Sequence, residues 1–215
     1  MITASPAPAS PRPLKGLYLI TPDDIDTLRL LERVDAVLEY AAVLQYRNKT
    51  ATPMVRREQA EALRALCASH GVGLIVNDDL LLAEAIAADG VHLGEHDGDP
   101  RAARERLGPD AIIGVSCYAD LDRARAAAAQ GASYIAFGAF FPSPTKPLAR
   151  HASLDLLRES AGLGLARVAI GGITADNASL VVAAGADLIA VISGVFDATD
   201  PAAAARAYRD CFDRG

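Results

Sequence analysis

From residue 16 onward the chain alternates between two kinds of segment. Short, nearly continuous apolar runs recur at 17–21, 43–47, 73–77, 90–94, 112–117, 134–139, 168–172 and 188–193. Most do not alternate with a period of two, so they predict parallel strands covered on both faces. Between them lie stretches rich in Ala, Leu and Arg with helical spacing. "REQAEALRALCAS" sets Ala60, Leu63, Leu66 and Cys67 on one stripe. "DRARAAAAQ", "SLDLLRES", "DNASLVVAA" and "PAAAARAYRDCF" each follow a cap-type residue or a proline, with Asp120, Ser153, Thr174 and Asp200 as the expected N-caps.

Strands follow one another at about 20 to 30 residues, the span a parallel crossover through a helix requires. Eight such units without a break in composition predict a single (β/α)8 TIM barrel over residues 16–215. The competing architecture is a doubly wound open sheet. It would be favoured by a G-x-G-x-x-G turn after the first strand, and "YLITPDD" carries none. The first 15 residues, rich in Pro, Ala and Ser, predict a disordered tail and contain no apolar core of a secretory signal.

Composition narrows the partners. The chain is 51% hydrophobic and 22% charged, as in ordinary globular proteins. A net charge of −6 gives no footprint for nucleic acid. No apolar run approaches the roughly 20 residues that span a bilayer, so no membrane partner is expected. Cys67, Cys117 and Cys211 are odd in number and lack metal-type spacing. They are expected to be free thiols in a reducing compartment, the cytoplasm. The sequence leaves open whether the chain forms a homo-oligomer.

A barrel demands that functional groups sit at the C-terminal ends of its strands. The segments there are "QYRNK" (45–49), "NDD" (77–79), "HLGEHDGD" (92–99), "SCY" (116–118), "PSPTK" (142–146), "GGIT" (171–174) and "ISG" (192–194). Strand alternation turns Gln45, Arg47 and Lys49 one way and Tyr46 and Asn48 the other. Arg47 and Lys49 then face a common space with Lys146, one of only three lysines in the chain. Arginine as a fork and lysine as a point charge both hold phosphate oxygens. Asp78 and Asp97 follow adjacent strands, and two carboxylates suit a hard divalent ion, most simply Mg²⁺. The alternative is that Asp78 and Asp79 cap a helix starting near Leu80 and that Glu95, Asp97 and Asp99 are helix-start acids favouring the dipole; in between, Asp79 caps while Asp78 points inward. The glycines after strands seven and eight allow backbone amides to approach a second phosphate, though tight turns alone would also explain them. His70, His92, His96 and His151 have no Ser or Cys partner at a recognisable spacing. His92 is expected to be a packed barrel residue, and no general base is expected.

The ordered set "QYRNK", "IVNDD", "DGVHLGEHD", "IIGVSCY", "YIAFGAFFPSPTK", "VAIGGIT" and "VISG" resembles the thiamine-phosphate synthase (thiamine-phosphate pyrophosphorylase) family, over nearly all of the chain beyond the tail. The resemblance implies a transferase of thiamine biosynthesis. It would join 4-amino-5-hydroxymethyl-2-methylpyrimidine diphosphate to a thiazole phosphate, carboxylated or not, releasing pyrophosphate by a Mg²⁺-assisted dissociative substitution. Motif by motif, Gln45, Arg47, Lys49 and Asn77 would hold the pyrimidine diphosphate and Asp78 and Asp97 the Mg²⁺. Ser116 and Lys146 would contact the pyrimidine substrate or its diphosphate. Arg47, Lys49, Ser116 and Lys146 would form the catalytic set. Ser143, Pro144 and Thr145 would line the thiazole side, and Gly172, Ile192 and Ser193 would hold its phosphate.

The chain departs from the family's usual residues at Asp79, Glu95, Cys117 and Ser143, where Arg, Gln, Thr and Thr are frequent. Asp79 and Glu95 add negative charge beside the expected metal ligands. Three rival functions remain: a thiazole tautomerase on the same barrel, a non-catalytic barrel binding thiamine intermediates, and an unrelated phosphate-binding barrel enzyme. The first would not need the whole diphosphate clamp, the second would not need the acids, and the third needs a different acid/base set.

Overall fold

The computed structural model describes residues 14–142 and 151–213. Eight parallel strands close into a barrel in sequence order, β1 pairing with β8. The strands are β1 (Gly16–Ile20), β2 (Ala41–Tyr46), β3 (Gly73–Asn77), β4 (Gly90–Leu93), β5 (Ile112–Tyr118), β6 (Tyr134–Phe137), β7 (Ala166–Ile170) and β8 (Leu188–Val191). The (β/α)8 expectation is met, and the open sheet is excluded by closure. No helix among the described residues is long and apolar enough to cross a membrane. The predicted tail lies outside the described residues except for Leu14 and Lys15, and Leu14 already packs against the apolar residues inside the barrel.

The helices are α1 (Thr27–Leu38), α2 (Pro53–His70), α3 (Leu80–Ala85), α4 (Pro100–Leu107), α5 (Leu121–Ala129), α6 (Asp155–Glu159), α7 (Ala178–Ala183), α8 (Ser193–Phe196) and α9 (Pro201–Asp210). Helix α2 buries Ala60, Leu63 and Cys67 as its stripe predicts, while Leu66 is half-buried at the edge. Asp120 and Asp200 cap α5 and α9 as expected, each accepting a backbone amide from three residues on. Two expected caps are corrected. Ser153 bonds the Asp155 amide, but α6 begins after Leu154, which offers no capping side chain. Thr174 stands before α7, whose cap position is Asn177. The Asn177 side chain turns back to accept from the Thr174 amide, so the polar residue closes the preceding turn instead. Helix α1 has no counterpart in the sequence reading, and α3 and α4 are expected there only through the acids at their starts. All three begin at an aspartate cap: Asp26, Asp79 and Asp99.

The apolar runs overshoot the strands. β1, β2, β4, β6, β7 and β8 end one or two residues earlier than the runs, because Thr21, Arg47, Gly94, Gly138 and Gly172 already belong to the turns and Ser193 opens α8. The structure has two cores. The larger lies between strands and helices. The smaller fills the barrel with Tyr18, Ile20, Val43, Ile75, Tyr134, Ala136, Val168, Leu188 and Ala190. Gly114 makes room at its centre, since a Cβ there would lie 1.9 Å from the Tyr134 ring.

Candidate active site

The C-terminal rim of the barrel carries the candidate residues, and β2 shows how local sequence aims them. Gln45 points into the barrel, its Nε2 donating to Tyr18 Oη at 2.8 Å. Tyr46 and Asn48 point the other way, and both donate to Gln59 Oε1 on α2, at 2.9 and 3.0 Å. Asn48 and Gln59 also donate to the Asp24 carbonyl. The Asp24 carboxylate is buried and held by Arg29, which keeps it below the usual carboxylate range. This outward set anchors the loop after β2 to the loop after β1. On the inward side Asp23 Oδ1 accepts from the Lys49 amide at 2.8 Å and faces Arg47 Nη1 at 3.4 Å. A cavity of about 310 Å³ opens beside the β2 and β3 ends, lined by Arg47, Lys49, Arg56, Asn77 and Asp78 among others.

The acids sort themselves by geometry. Asp79 caps α3, accepting from the Leu82 amide at 2.9 Å, and pairs with Arg56 Nη2 at 3.0 Å. Its charge is therefore met by α2 rather than added to the rim. Asp99 caps α4 through the Arg101 amide. Asp78 does neither. Its backbone takes φ 62°, a left-handed conformation that aspartate tolerates better than most residues, and its amide is fixed on the His92 carbonyl at 2.8 Å. Asp97 Oδ2 accepts from the Gly94 amide at 3.0 Å. The Asp78 and Asp97 carboxyls both stand beside Gly94, as neighbours. Burial first, and then this neighbour, push Asp78 above the usual carboxylate range, while Lys49 pulls it down. Two carboxylates this close repel when both ionise, and a hard cation between them relieves that repulsion. Among the described residues no cluster of three or more metal-type side chains exists. The pair thus fits an ion that takes two carboxylates and completes its shell with water and substrate oxygens.

The opposite rim is built from backbone. Gly171 and Gly172 have φ of 97° and 66°. A Cβ on Gly172 would meet the Phe141 carbonyl at 2.3 Å, so the turn after β7 is pressed against the loop after β6. Ile192 and Ser193 form the start of α8. Tyr208 on α9 props both turns: its hydroxyl donates to the Ile173 carbonyl at 3.0 Å and fills the space beside Gly194. Ser143, Pro144, Thr145 and Lys146 lie outside the described residues.

The barrel interior holds what sequence reading missed. Tyr18 Oη meets Tyr134 Oη at 2.6 Å, Tyr134 Oη meets His92 Nδ1 at 2.8 Å, and His92 Nε2 meets Ser116 Oγ at 2.8 Å. His92 is buried as expected, but it does have a serine partner, 24 positions away and on the neighbouring strand. Burial lowers its pKa to about 4, so the ring is neutral at pH 7. No local spacing reveals this cluster; the only signal was three polar rings inside apolar runs. Arg123 is a second omission. From α5 its Nε donates to the Ser116 carbonyl at 2.6 Å and its Nη2 to the Gly94 carbonyl at 3.1 Å, tying the loops after β4 and β5 together. Cys117 is buried beside them, with its thiol pushed up to about 12 by burial, and is inert packing.

Fold and rim together define a (β/α)8-barrel enzyme whose mouth presents a cationic, carboxylate-bearing side and a glycine-amide side. Comparison with known proteins makes this specific. The thiamine monophosphate synthase family profile matches residues 17–195. The thiamine-phosphate synthase of Xanthomonas campestris is 59% identical over 198 residues, covering 92% of this chain and 96% of that one. The Xylella fastidiosa thiamine-phosphate synthase is 51% identical over 213 residues, covering 97% and 91%. A solved structure, thiamine phosphate pyrophosphorylase from Pyrococcus furiosus, superposes with a TM-score of 0.81 at 35% identity, covering 94% and 97%. The chain belongs to the thiamine monophosphate synthase family and is a pyrophosphate-releasing transferase.

Proposed function

We propose that the chain condenses 4-amino-5-hydroxymethyl-2-methylpyrimidine diphosphate with thiazole phosphate to give thiamine phosphate and pyrophosphate, with CO₂ released as well when the thiazole is carboxylated. The observation that carries this reading is the convergence of Arg47, Lys49 and Asp78 on one cavity, with Asp97 neighbouring Asp78. A diphosphate leaving group needs its growing charge neutralised. Arg47 and Lys49 supply fixed positive charge, and Asn77 supplies an amide donor or acceptor beside them. Asp78 and Asp97 would hold Mg²⁺, which contributes Lewis-acid neutralisation of phosphate oxygens when bound.

Bond breaking at the pyrimidine methylene ahead of bond making leaves a cation, and the barrel interior suits it. The Gln45–Ser116 side presents neutral dipoles and no strong nucleophile that could trap the cation wrongly. Gly172, Ile192 and Ser193 would hold the acceptor's phosphate through backbone amides, placing its ring nitrogen at the methylene and removing the entropy of encounter. By the family resemblance Lys146 would contact the diphosphate substrate and Ser143, Pro144 and Thr145 the thiazole side; all four lie outside the described residues.

The test is to incubate purified protein with both substrates and Mg²⁺ and to measure thiamine phosphate and pyrophosphate together. Equimolar formation of both, lost on adding EDTA and restored by Mg²⁺, is expected. Release of a rearranged thiazole without pyrophosphate would instead make the chain a tautomerase. Binding of substrates without turnover would make it a non-catalytic barrel. Unchanged turnover in EDTA would remove the metal from the proposal.

A further inference from the structure

Five side chains from five strands form one unbroken hydrogen-bonded chain through the barrel: Gln45, Tyr18, Tyr134, His92 and Ser116. Its protons can be counted. Gln45 Nε2 has only protons to offer, so Tyr18 Oη accepts there, and the buried Tyr18 hydroxyl proton meets no acceptor among the described residues other than Tyr134 Oη, which therefore receives it. Tyr134 accepts from Tyr18 and must donate to His92 Nδ1. A neutral imidazole whose Nδ1 accepts carries its proton on Nε2. That proton goes to Ser116 Oγ, leaving the serine's own hydroxyl proton outside the chain. At the other end Gln45 Oε1 has no partner among the described residues. Every proton therefore runs the same way. The reverse order, begun by a carbonyl oxygen at Gln45, would be internally consistent too, and would turn Ser116 into a donor to His92.

We propose that this one-way chain fixes what its ends offer a ligand: Ser116 presents a hydroxyl proton and Gln45 a carbonyl oxygen. The pocket then selects a heteroaromatic ring bearing both an acceptor and a donor, as an aminopyrimidine does through a ring nitrogen and its exocyclic amine. Tyr18, Tyr134 and His92 are positioning residues that carry this polarity across the barrel. The choice of ring rests on the function proposed above; the polarity itself does not.

The experiment reads the His92 tautomer by side-chain ¹⁵N NMR in the full, substrate-free protein, with His92 assigned by its loss in His92→Gln. Wild type is expected to show the Nε2–H tautomer alone. Gln45→Glu puts an acceptor-only carboxylate at the head of the chain and is expected to switch His92 to Nδ1–H. Tyr18→Phe cuts the chain and is expected to leave both tautomers populated. It should also raise KM for the pyrimidine diphosphate about tenfold, the worth of one hydrogen bond, with KM for thiazole phosphate unchanged. Nδ1–H in wild type overturns the proposal, as does a tautomer indifferent to both variants. If Gln45→Glu does not fold, Tyr18→Phe decides alone. Absence of thiamine phosphate synthesis with the predicted tautomers would defeat the functional reading and leave the polarity standing.

Discussion

The two sides of the barrel mouth would bind the proposed anionic groups by opposite means. The β2–β4 side uses charged side chains on a braced backbone: Arg47 faces Asp23, the Lys49 amide is held by Asp23, the loop by Asn48 and Gln59, and the Asp78 amide by the His92 carbonyl. The β7–β8 side uses peptide amides in glycine turns, restrained from behind by Tyr208 and from the front by Phe141. Side chains bring full charge and a means of holding a metal, at the cost of ordering flexible groups. Amides bring no net charge but are already rigid. The first arrangement suits a group whose charge changes during reaction, the second a group that only needs to be held.

Substitutions separate the two. Asp97→Ala should have the largest effect, cutting turnover about a thousandfold, whereas Asp79→Ala should change turnover less than about threefold while costing about 1 kcal/mol of stability through the lost cap. Comparable losses of turnover would mean that the metal-binding acids are misassigned. Next comes the interior that joins the sides. Buried His92 titrates near 4 when folded and near 6.5 when unfolded. The unfolded chain thus binds the extra proton first, and its contribution to stability is full above pH ~6.5 and lost as pH falls toward ~4. Urea titrations should show a slope from this group of at most ~1.4 kcal/mol per pH unit in that window, absent in His92→Gln. An unchanged slope would put the pH dependence elsewhere.

On the amide side, Gly172→Ala introduces a side chain at φ 66° against the Phe141 carbonyl. About 1–2 kcal/mol of destabilisation is expected, with KM for the phosphate-bearing acceptor raised and KM for the diphosphate unchanged. A rise in both would show that the sides are not independent. Tyr208→Phe should be mildest, near 1 kcal/mol for one buried hydrogen bond, read as a small fall in Tm.

Charge was the part of this site that the sequence made visible. Arg47, Lys49, Asp78 and Asp97 stand at strand ends, where a barrel puts its chemistry, so position and residue type agreed. The roles of the remaining acids were ambiguous because an aspartate before a helix is both a cap and a ligand candidate; only the partners of Asp79 and Asp99 separated the cases. The strand ends were overshot because apolar and small residues continue past the last pairing position, where a residue such as Ile192 packs without pairing. Helix α1 was overlooked although its apolar positions, Leu30, Val34, Val37 and Leu38, have helical spacing. The interior chain was beyond reach for a different reason. Tyr18 and Tyr134 are 116 positions apart, and their contact exists only once the barrel closes.

The Arg56–Asp79 pair bears on how sequences in this family can drift. Asp79 holds the start of α3 and neutralises a guanidinium from α2 in the same stroke. An arginine arriving at position 79 would lose the cap and face a like charge, so lineages should cross between the two states through a change at position 56 first. The rim's total charge would then be inherited as a sum over two helices, with neither residue free to vary on its own.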